Sequence, residues 1–154
     1  MEPLIYYECR FSVSRDIRMN RDQVMDLLNY FDTSSDNPLH NSLDFEKYSV
    51  KLSENAYFII ASEKSKMAGF MAYYYNEEGG FIYIPQIVVH NDYRRRGVGH
   101  AMFLEIYNCL SEKYKFILLE VLKTNRIARA FYEKEGFVEK EDRGGKFLLE
   151  RNTI

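Results

Sequence analysis

The residues best placed for chemistry lie in one short stretch. Arg94-Arg95-Arg96-Gly97-Val98-Gly99 follows a strand-like run that ends at Val89 and opens a helix-like one, with two glycines where main-chain N–H groups must come close to another group. Uncapped N–H groups at a helix start carry about half a positive charge, and consecutive turn amides form a concave nest. The segment therefore reads as an anion site. A pyrophosphate would be held mainly by main chain, with Arg94, Arg95 and Arg96 adding charge at its rim. The plainer alternative is a surface charge run beside two ordinary glycines. Two mononucleotide patterns are absent: Gly99 is followed by His100, Ala101 and Met102, which supplies neither a Gly-Lys-Ser/Thr close nor a Gly-x-Gly-x-x-Gly fingerprint.

Other reactive residue types give less. Cys9 and Cys109 stand far apart, without metal-ligand spacing or a bridge framework, and each reads as a small core residue. On a helix, His100 and Cys109 fall on opposite sides, so no thiol–imidazole pair forms. His40, His90 and His100 are too dispersed to argue for a metal, so none is expected. Thirteen Tyr and eleven Phe could line a pocket, though most aromatic rings simply fill core.

The whole chain bounds these readings. Its 154 residues suit one domain, 1–154, and 46% hydrophobic with 29% charged residues is the balance of an ordinary globular protein. A net charge of −2 gives no reason to seek nucleic acid or an anionic bilayer, and three adjacent arginines do not make a nucleic-acid face. Met1-Glu2-Pro3-Leu4 does not resemble a signal sequence, and no run of about 18 apolar residues occurs. A reducing cytoplasm is the expected location, with no membrane or nucleic-acid partner.

The elements that must position the anion site follow from periodicity. Leu4 to Val13 reads as a strand, and Asn20 with Gln23 forms a capping box before a helix over Arg21 to Phe31. A weaker helical segment spans Leu43 to Leu52. Ala56 to Ala61, Met67 to Tyr75 and Phe81 to Val89 read as an antiparallel meander. A helix from Gly97 to about Ser111, a strand Phe116 to Leu122 and a helix Asn125 to Lys134 come next. A hairpin of Phe137 to Asp142 and Lys146 to Arg151 closes the chain on Arg143-Gly144-Gly145. The order β-α-α-β-β-β-α-β-α-β-β predicts an α/β protein with a mixed sheet and helices on its faces.

Arg94-x-x-Gly97-x-Gly99 after a strand resembles the signature of the GNAT superfamily of N-acetyltransferases. A second element, Asn125-x-x-Ala128-x-x-Phe131-Tyr132-x-x-x-Gly136-Phe137, stands at the spacing that family shows. The two cover about residues 81 to 140. The resemblance implies a mostly antiparallel sheet splayed between its fourth and fifth strands, Phe81 to Val89 and Phe116 to Leu122, with the pantetheine arm of acetyl-CoA in the gap. Amides of Val88 and Val89 would bond that arm, and amides from Arg95 through Gly97 and Val98 to Gly99 the pyrophosphate. Asn125, Ala128 and Tyr132 would complete the cofactor site. The run Leu119-Glu120-Val121 followed by Asn125 is also similar to ribosomal-protein alanine acetyltransferases, and to small-amine acetyltransferases.

Under that resemblance the acceptor is a small-molecule or peptide amine, and the transfer must bind an oxyanion, protonate the departing sulfur and deprotonate the amine. A phenol is neutral at pH 7, so Tyr132 is the expected general acid. Ala128 one turn earlier leaves room for the cofactor, and Ile127 with Phe131 would face the core. Gln86 stands where many family members carry Glu, and an amide is no base. Glu120 is the substitute, flanked by Leu119 and Val121. A strand-end Glu paired with Arg or Lys is the equal alternative. Gln86 also leaves open a non-catalytic acyl-CoA-binding or regulatory module. Tyr73, Tyr74, Tyr75 and Tyr83 could line an acceptor cleft, alternate ones pointing into core, with the first two helices as its other wall. Monomer and homodimer are equally compatible with the sequence.

Overall fold

The structure, a computed structural model, describes residues 11–33 and 38–152. Seven strands, β1 (Ser12–Ile17), β2 (Tyr57–Glu63), β3 (Lys66–Asn76), β4 (Phe81–Val89), β5 (Phe116–Leu122), β6 (Val138–Asp142) and β7 (Lys146–Asn152), form one sheet in the order β1-β2-β3-β4-β5-β7-β6. Every neighbouring pair is antiparallel except β4 and β5. Four helices join them: α1 (Arg21–Asp32), α2 (Phe45–Asn55), α3 (Val98–Tyr107) and α4 (Arg126–Lys134). The mixed α/β sheet expected from the sequence is present.

Local chemistry sets the helix limits. Asn20 accepts from Gln23 N–H while Gln23 reaches back to Asn20 N–H, the reciprocal cap that starts α1. Asp44 caps α2 through the N–H groups of Glu46 and Lys47, two residues later than the apolar pattern suggested. Helix α3 ends at Tyr107, four residues short of expectation. The first strand runs on to Ile17, past the expected end at Val13, because Asp16 adopts φ 54° and its bulge lets β1 rejoin β2 at Ile17–Phe58. Residues 4–10 of that expected strand, with Cys9, lie outside the described residues.

Each face of the sheet carries its own core. Helices α3 and α4 cover one, where Met102, Phe103 and Ile106 meet Ile82, Ile84, Ile117, Leu119 and Val121. Helices α1 and α2 cover the other, where Leu28, Phe31 and Leu52 meet Phe58, Phe70, Ala72 and Val88. Helices thus lie on both faces. None of the described helices is long and apolar enough to cross a membrane.

Two irregularities open the sheet. Tyr74 pairs with Tyr83, yet Ala72 pairs with Gln86, so β4 holds one residue more than β3 across this interval. This bulge contains Pro85, a residue that a regular central strand would exclude because it lacks an N–H. The parallel ladder between β4 and β5 then runs only through Phe81–Phe116, Ile82–Ile117 and Tyr83–Leu118. Beyond Tyr83 and Leu118 the two strands part, which is the splayed gap expected between the fourth and fifth strands.

Candidate active site

The anion loop is shaped by two left-handed residues. Arg95 stands at φ 61° and Gly97, the residue before α3, at φ 84°. A Cβ on Gly97 would have nothing within 4 Å, so glycine serves the backbone angle there, not a packing need. The first helical bond runs from Ala101 N–H to Gly97 C=O. Among the described residues no hydrogen bond uses the N–H of Arg95, Arg96, Gly97, Val98, Gly99 or His100, so these donors are available to an anion. Of the three arginines, Arg94 and Arg95 are exposed. Arg96 is committed elsewhere: its guanidinium holds Glu63 of β2 at 2.8 Å and lies over the Tyr93 ring at 4.9 Å. It fastens the loop to the sheet and does not line the rim.

Main-chain direction in the gap follows from the ladder. His90 N–H bonds Ala68 C=O, so in the β3–β4 register the residues of the Phe70–Val88 pair bond each other, while Gly69–Val89 and Met71–Ile87 turn their main-chain groups away from one another. Val89 and Ile87 therefore aim N–H and C=O at the gap, and Val88 does not. The sequence reading placed both Val88 and Val89 there; the structure puts the Val88 side chain in the α1/α2 core and its amide on β3. The same argument on β5, from Lys123 N–H to Gly145 C=O, points the main chain of Glu120 and Leu122 into the gap.

The phenol of Tyr132 is fixed by the end of α4. Phe137 N–H bonds Tyr132 C=O and Gly136 N–H bonds Glu133 C=O, with Gly136 at φ 95°. This double closure needs a glycine at its left-handed residue, and an apolar contact usually accompanies it. Here the contact is Phe137 against Tyr132, rings 5.9 Å apart, with Phe103 packed on both. Burial pushes the Tyr132 hydroxyl up to about 12, and no partner accepts from it among the described residues. Asn125 caps α4, its side-chain oxygen accepting from Ala128 N–H at 3.1 Å, and Ala128 packs on the α3/α4 core. Phe131 packs there too. Ile127 does not: it is 88% exposed, because the inward stripe of this short helix runs through Ala128, Phe131 and Tyr132.

The expected base has partners. Glu120 is ion-paired to Arg143 at 3.0 Å and its other oxygen lies 3.5 Å from the Tyr83 hydroxyl. Arg143 also holds Glu141 at 2.9 Å. The paired alternative foreseen for Glu120 is thus the observed arrangement. Gln86 accepts from the Tyr48 hydroxyl of α2 at 3.3 Å. Tyr74 and Tyr83 stand parallel, rings 6.4 Å apart. The Tyr74 hydroxyl is buried and has no hydrogen-bond partner among the described residues. Burial raises the phenols of Tyr48, Tyr74 and Tyr83 above their usual range. Tyr73 and Tyr75 point the opposite way and share Asp16 at 2.6 and 2.7 Å, so of the four tyrosines only Tyr74 and Tyr83 stand on the α1/α2 face and the other two brace β1. Sequence reasoning missed Ile87, Tyr48 and Arg143, whose places depend on pairings far apart in the chain.

The sequence model of the Acetyltransferase (GNAT) family matches residues 21–137. The chain belongs to this family. It is an acyltransferase by that membership. Solved GNAT folds superpose over nearly its whole length. The PaiA N-acetyltransferase of Thermoplasma acidophilum, in complex with coenzyme A, matches with TM-score 0.73 and 15% identity, over 92% of this chain and 98% of that one. The ribosomal-protein-S18-alanine N-acetyltransferase of Escherichia coli gives 0.73 and 18%, over 93% and 94%. A GNAT-family acetyltransferase of Streptococcus pneumoniae gives 0.68 and 17%, over 94% and 99%. No curated protein matches the sequence. In this GNAT chain no described group of three or more His, Cys, Asp or Glu residues is gathered as a metal site.

Proposed function

We propose that this GNAT member transfers an acetyl group from acetyl-coenzyme A to a primary amine, of a small molecule or a peptide N-terminus, by direct attack with both substrates bound. One juxtaposition carries the reading. Among the described residues, six N–H groups at the start of α3 and the phenol of Tyr132 on the neighbouring helix α4 have no hydrogen-bond partner, and both stand on the face where β4 and β5 part.

The residues suit the cosubstrate. A run of unpaired donors with left-handed residues at 95 and 97 matches a diphosphate. The gap beyond Tyr83 offers outward N–H and C=O groups of Ile87 and Val89 to an amide-bearing arm. Asn125 and Ala128 would flank that arm, the small Ala128 side chain leaving it space. Bound acetyl-coenzyme A supplies a thioester carbon open to an amine and a thiol to leave. Tyr132 stays protonated at every physiological pH and gives its proton to the sulfur as the bond breaks. The burial that raises this phenol acts on a thiolate in the same dry space as well, so the transfer, uphill by the difference between a phenol at about 10 and a thiol at about 8.5, is made no steeper and is driven by the breaking of the C–S bond.

The acceptor enters from the other face, through Tyr48, Tyr74, Tyr83 and Gln86. Glu120 takes the amine's proton, directly or through a water, once Arg143 releases its oxygen. Gln86 and the paired state of Glu120 favour a second reading, a module that binds acyl-coenzyme A without turnover. Calorimetry with coenzyme A and a thiol-release assay over alkylamines and N-terminal peptides separate them. The expectation is coenzyme A binding, amine-dependent thiol release and loss of that release in Tyr132→Phe. Binding without release from any amine supports the second reading, and absence of binding removes both.

A further inference from the structure

We propose that Glu135 is a positioning residue: it sets how the helix that holds the diphosphate sits against the helix that carries Tyr132. The inference rests on the acetyltransferase reading above.

Glu135 closes α4, three residues after Tyr132, and its side chain is 7% exposed. One carboxylate oxygen lies 2.7 Å from His100 Nδ1, in the first turn of α3, and the other accepts from the Tyr107 hydroxyl at the last residue of α3. An ionised carboxylate only accepts, so His100 Nδ1 carries the proton of that bond. The Glu135 main-chain oxygen accepts from Tyr107 at 3.3 Å and from Arg151 Nε of β7 at 2.7 Å, and the Arg151 guanidinium lies over the Tyr107 ring at 3.8 Å. His100 and Tyr107 are two turns apart, so one residue of α4 grips the same face of α3 at both ends. A further contact fixes the crossing. A Cβ on Gly99 would come within 2.9 Å of the Phe131 ring, so α3 begins hard against the residue before Tyr132.

Stability alone does not account for this carboxylate. At the negative end of α4 it opposes that helix's own dipole, and a protonated His100 would oppose the dipole of α3. A well-packed apolar residue in place of a buried charge is commonly neutral or stabilising. What the charge adds is direction: bonds to both ends of α3 fix its slide and rotation relative to α4. The diphosphate N–H groups belong to α3 and the acid to α4, so a small slip separates the thioester sulfur from the phenol without disturbing the anion site. Transfer depends steeply on such distances.

The test uses the full chain with Glu135→Leu, Glu135→Gln, His100→Ala and the Leu/Ala double variant, reading kcat per coenzyme A-binding site, coenzyme A Kd and Tm. Glu135→Leu should lower kcat about tenfold and His100→Ala about threefold, with Kd within about twofold of the parent. Glu135→Gln can still accept from Tyr107 and meet His100, so it should restore kcat to within about twofold of the parent. His100→Ala should add nothing on the Glu135→Leu background. A fall in Tm with kcat per site unchanged overturns the proposal, as do additive effects in the double variant. If Glu135→Leu fails to fold, His100→Ala, at a 58% exposed ring, decides the matter: unchanged kcat overturns it. A parent protein without turnover or coenzyme A binding would instead remove the acetyltransferase reading itself.

Discussion

On the α3/α4 side, Gly97 and Gly136 hold φ of 84° and 95°, Asn125 caps its helix, and the donors proposed to hold the cofactor are main-chain N–H groups. On the α1/α2 side the cleft is made of side chains: Tyr48, Tyr74, Tyr83, Gln86 and the Glu120–Arg143 pair. Backbone sites demand particular residue types at fixed spacing, because only certain residues adopt the angles. Side-chain sites admit many solutions, because a face needs only chemistry at a distance. A cofactor common to a family suits the first kind of construction, and an acceptor particular to one protein suits the second.

Substitutions should break the two sides differently. Tyr132→Phe should have the largest effect, lowering kcat by about a hundredfold or more, with coenzyme A Kd within about fivefold of the parent because the proposed diphosphate contacts are main-chain N–H groups of another element. Steady-state kinetics beside calorimetry checks this, and a normal kcat would remove Tyr132 as the acid. Gly97→Val comes next. Open space surrounds that position, so the cost is backbone strain of about 1–3 kcal/mol, or about a ten- to hundredfold weaker coenzyme A Kd.

Arg143→Ala should act only on the acceptor side. Releasing the Glu120 oxygen should raise kcat/KM for amines about two- to threefold, since an exposed ion pair is weak, and leave coenzyme A binding alone. A fall in kcat/KM would instead make Arg143 a group the acceptor needs. The smallest effect should not distinguish the sides at all. Folding holds the Tyr132 proton more tightly, near 12 against about 10 in the unfolded chain, so its contribution is whole below pH 10 and is lost as pH rises toward 12. Tyr48 on the opposite face shifts the same way. Denaturant midpoints should be level from pH 8 to about 9.5 and fall beyond 10.

The comparison also separates what could be read from sequence. Gly97 was legible from turn chemistry and Asn125 and Gly136 through the family motif, and each proves to be the residue type that its left-handed turn or helix cap requires. The meander, the two central helices and the closing hairpin were legible from period and turn chemistry. Val88 was misplaced because neighbouring strand residues turn their amides opposite ways, and only the register with β3 decides that Val89 and not Val88 faces the gap. Arg96 sits beside Glu63 and Glu135 beside His100 through pairings more than thirty positions apart. Ile127 fits the inward stripe by spacing, yet it is exposed on the first turn of α4.

The supernumerary residue in β4 makes the opening depend on number more than on identity. Removing either Ile84 or Pro85 would leave Tyr83 and Gln86 two positions apart, still opposite Tyr74 and Ala72, so the ladder to β3 would run without a break. Gln86, Ile87 and Val89 would keep the directions they have, but the added bend and twist that carry β4 away from β5 would go. A deletion there should therefore spare the fold and narrow the opening, and single-residue deletions along 81–89, scored for Tm and for coenzyme A Kd, would separate the two effects.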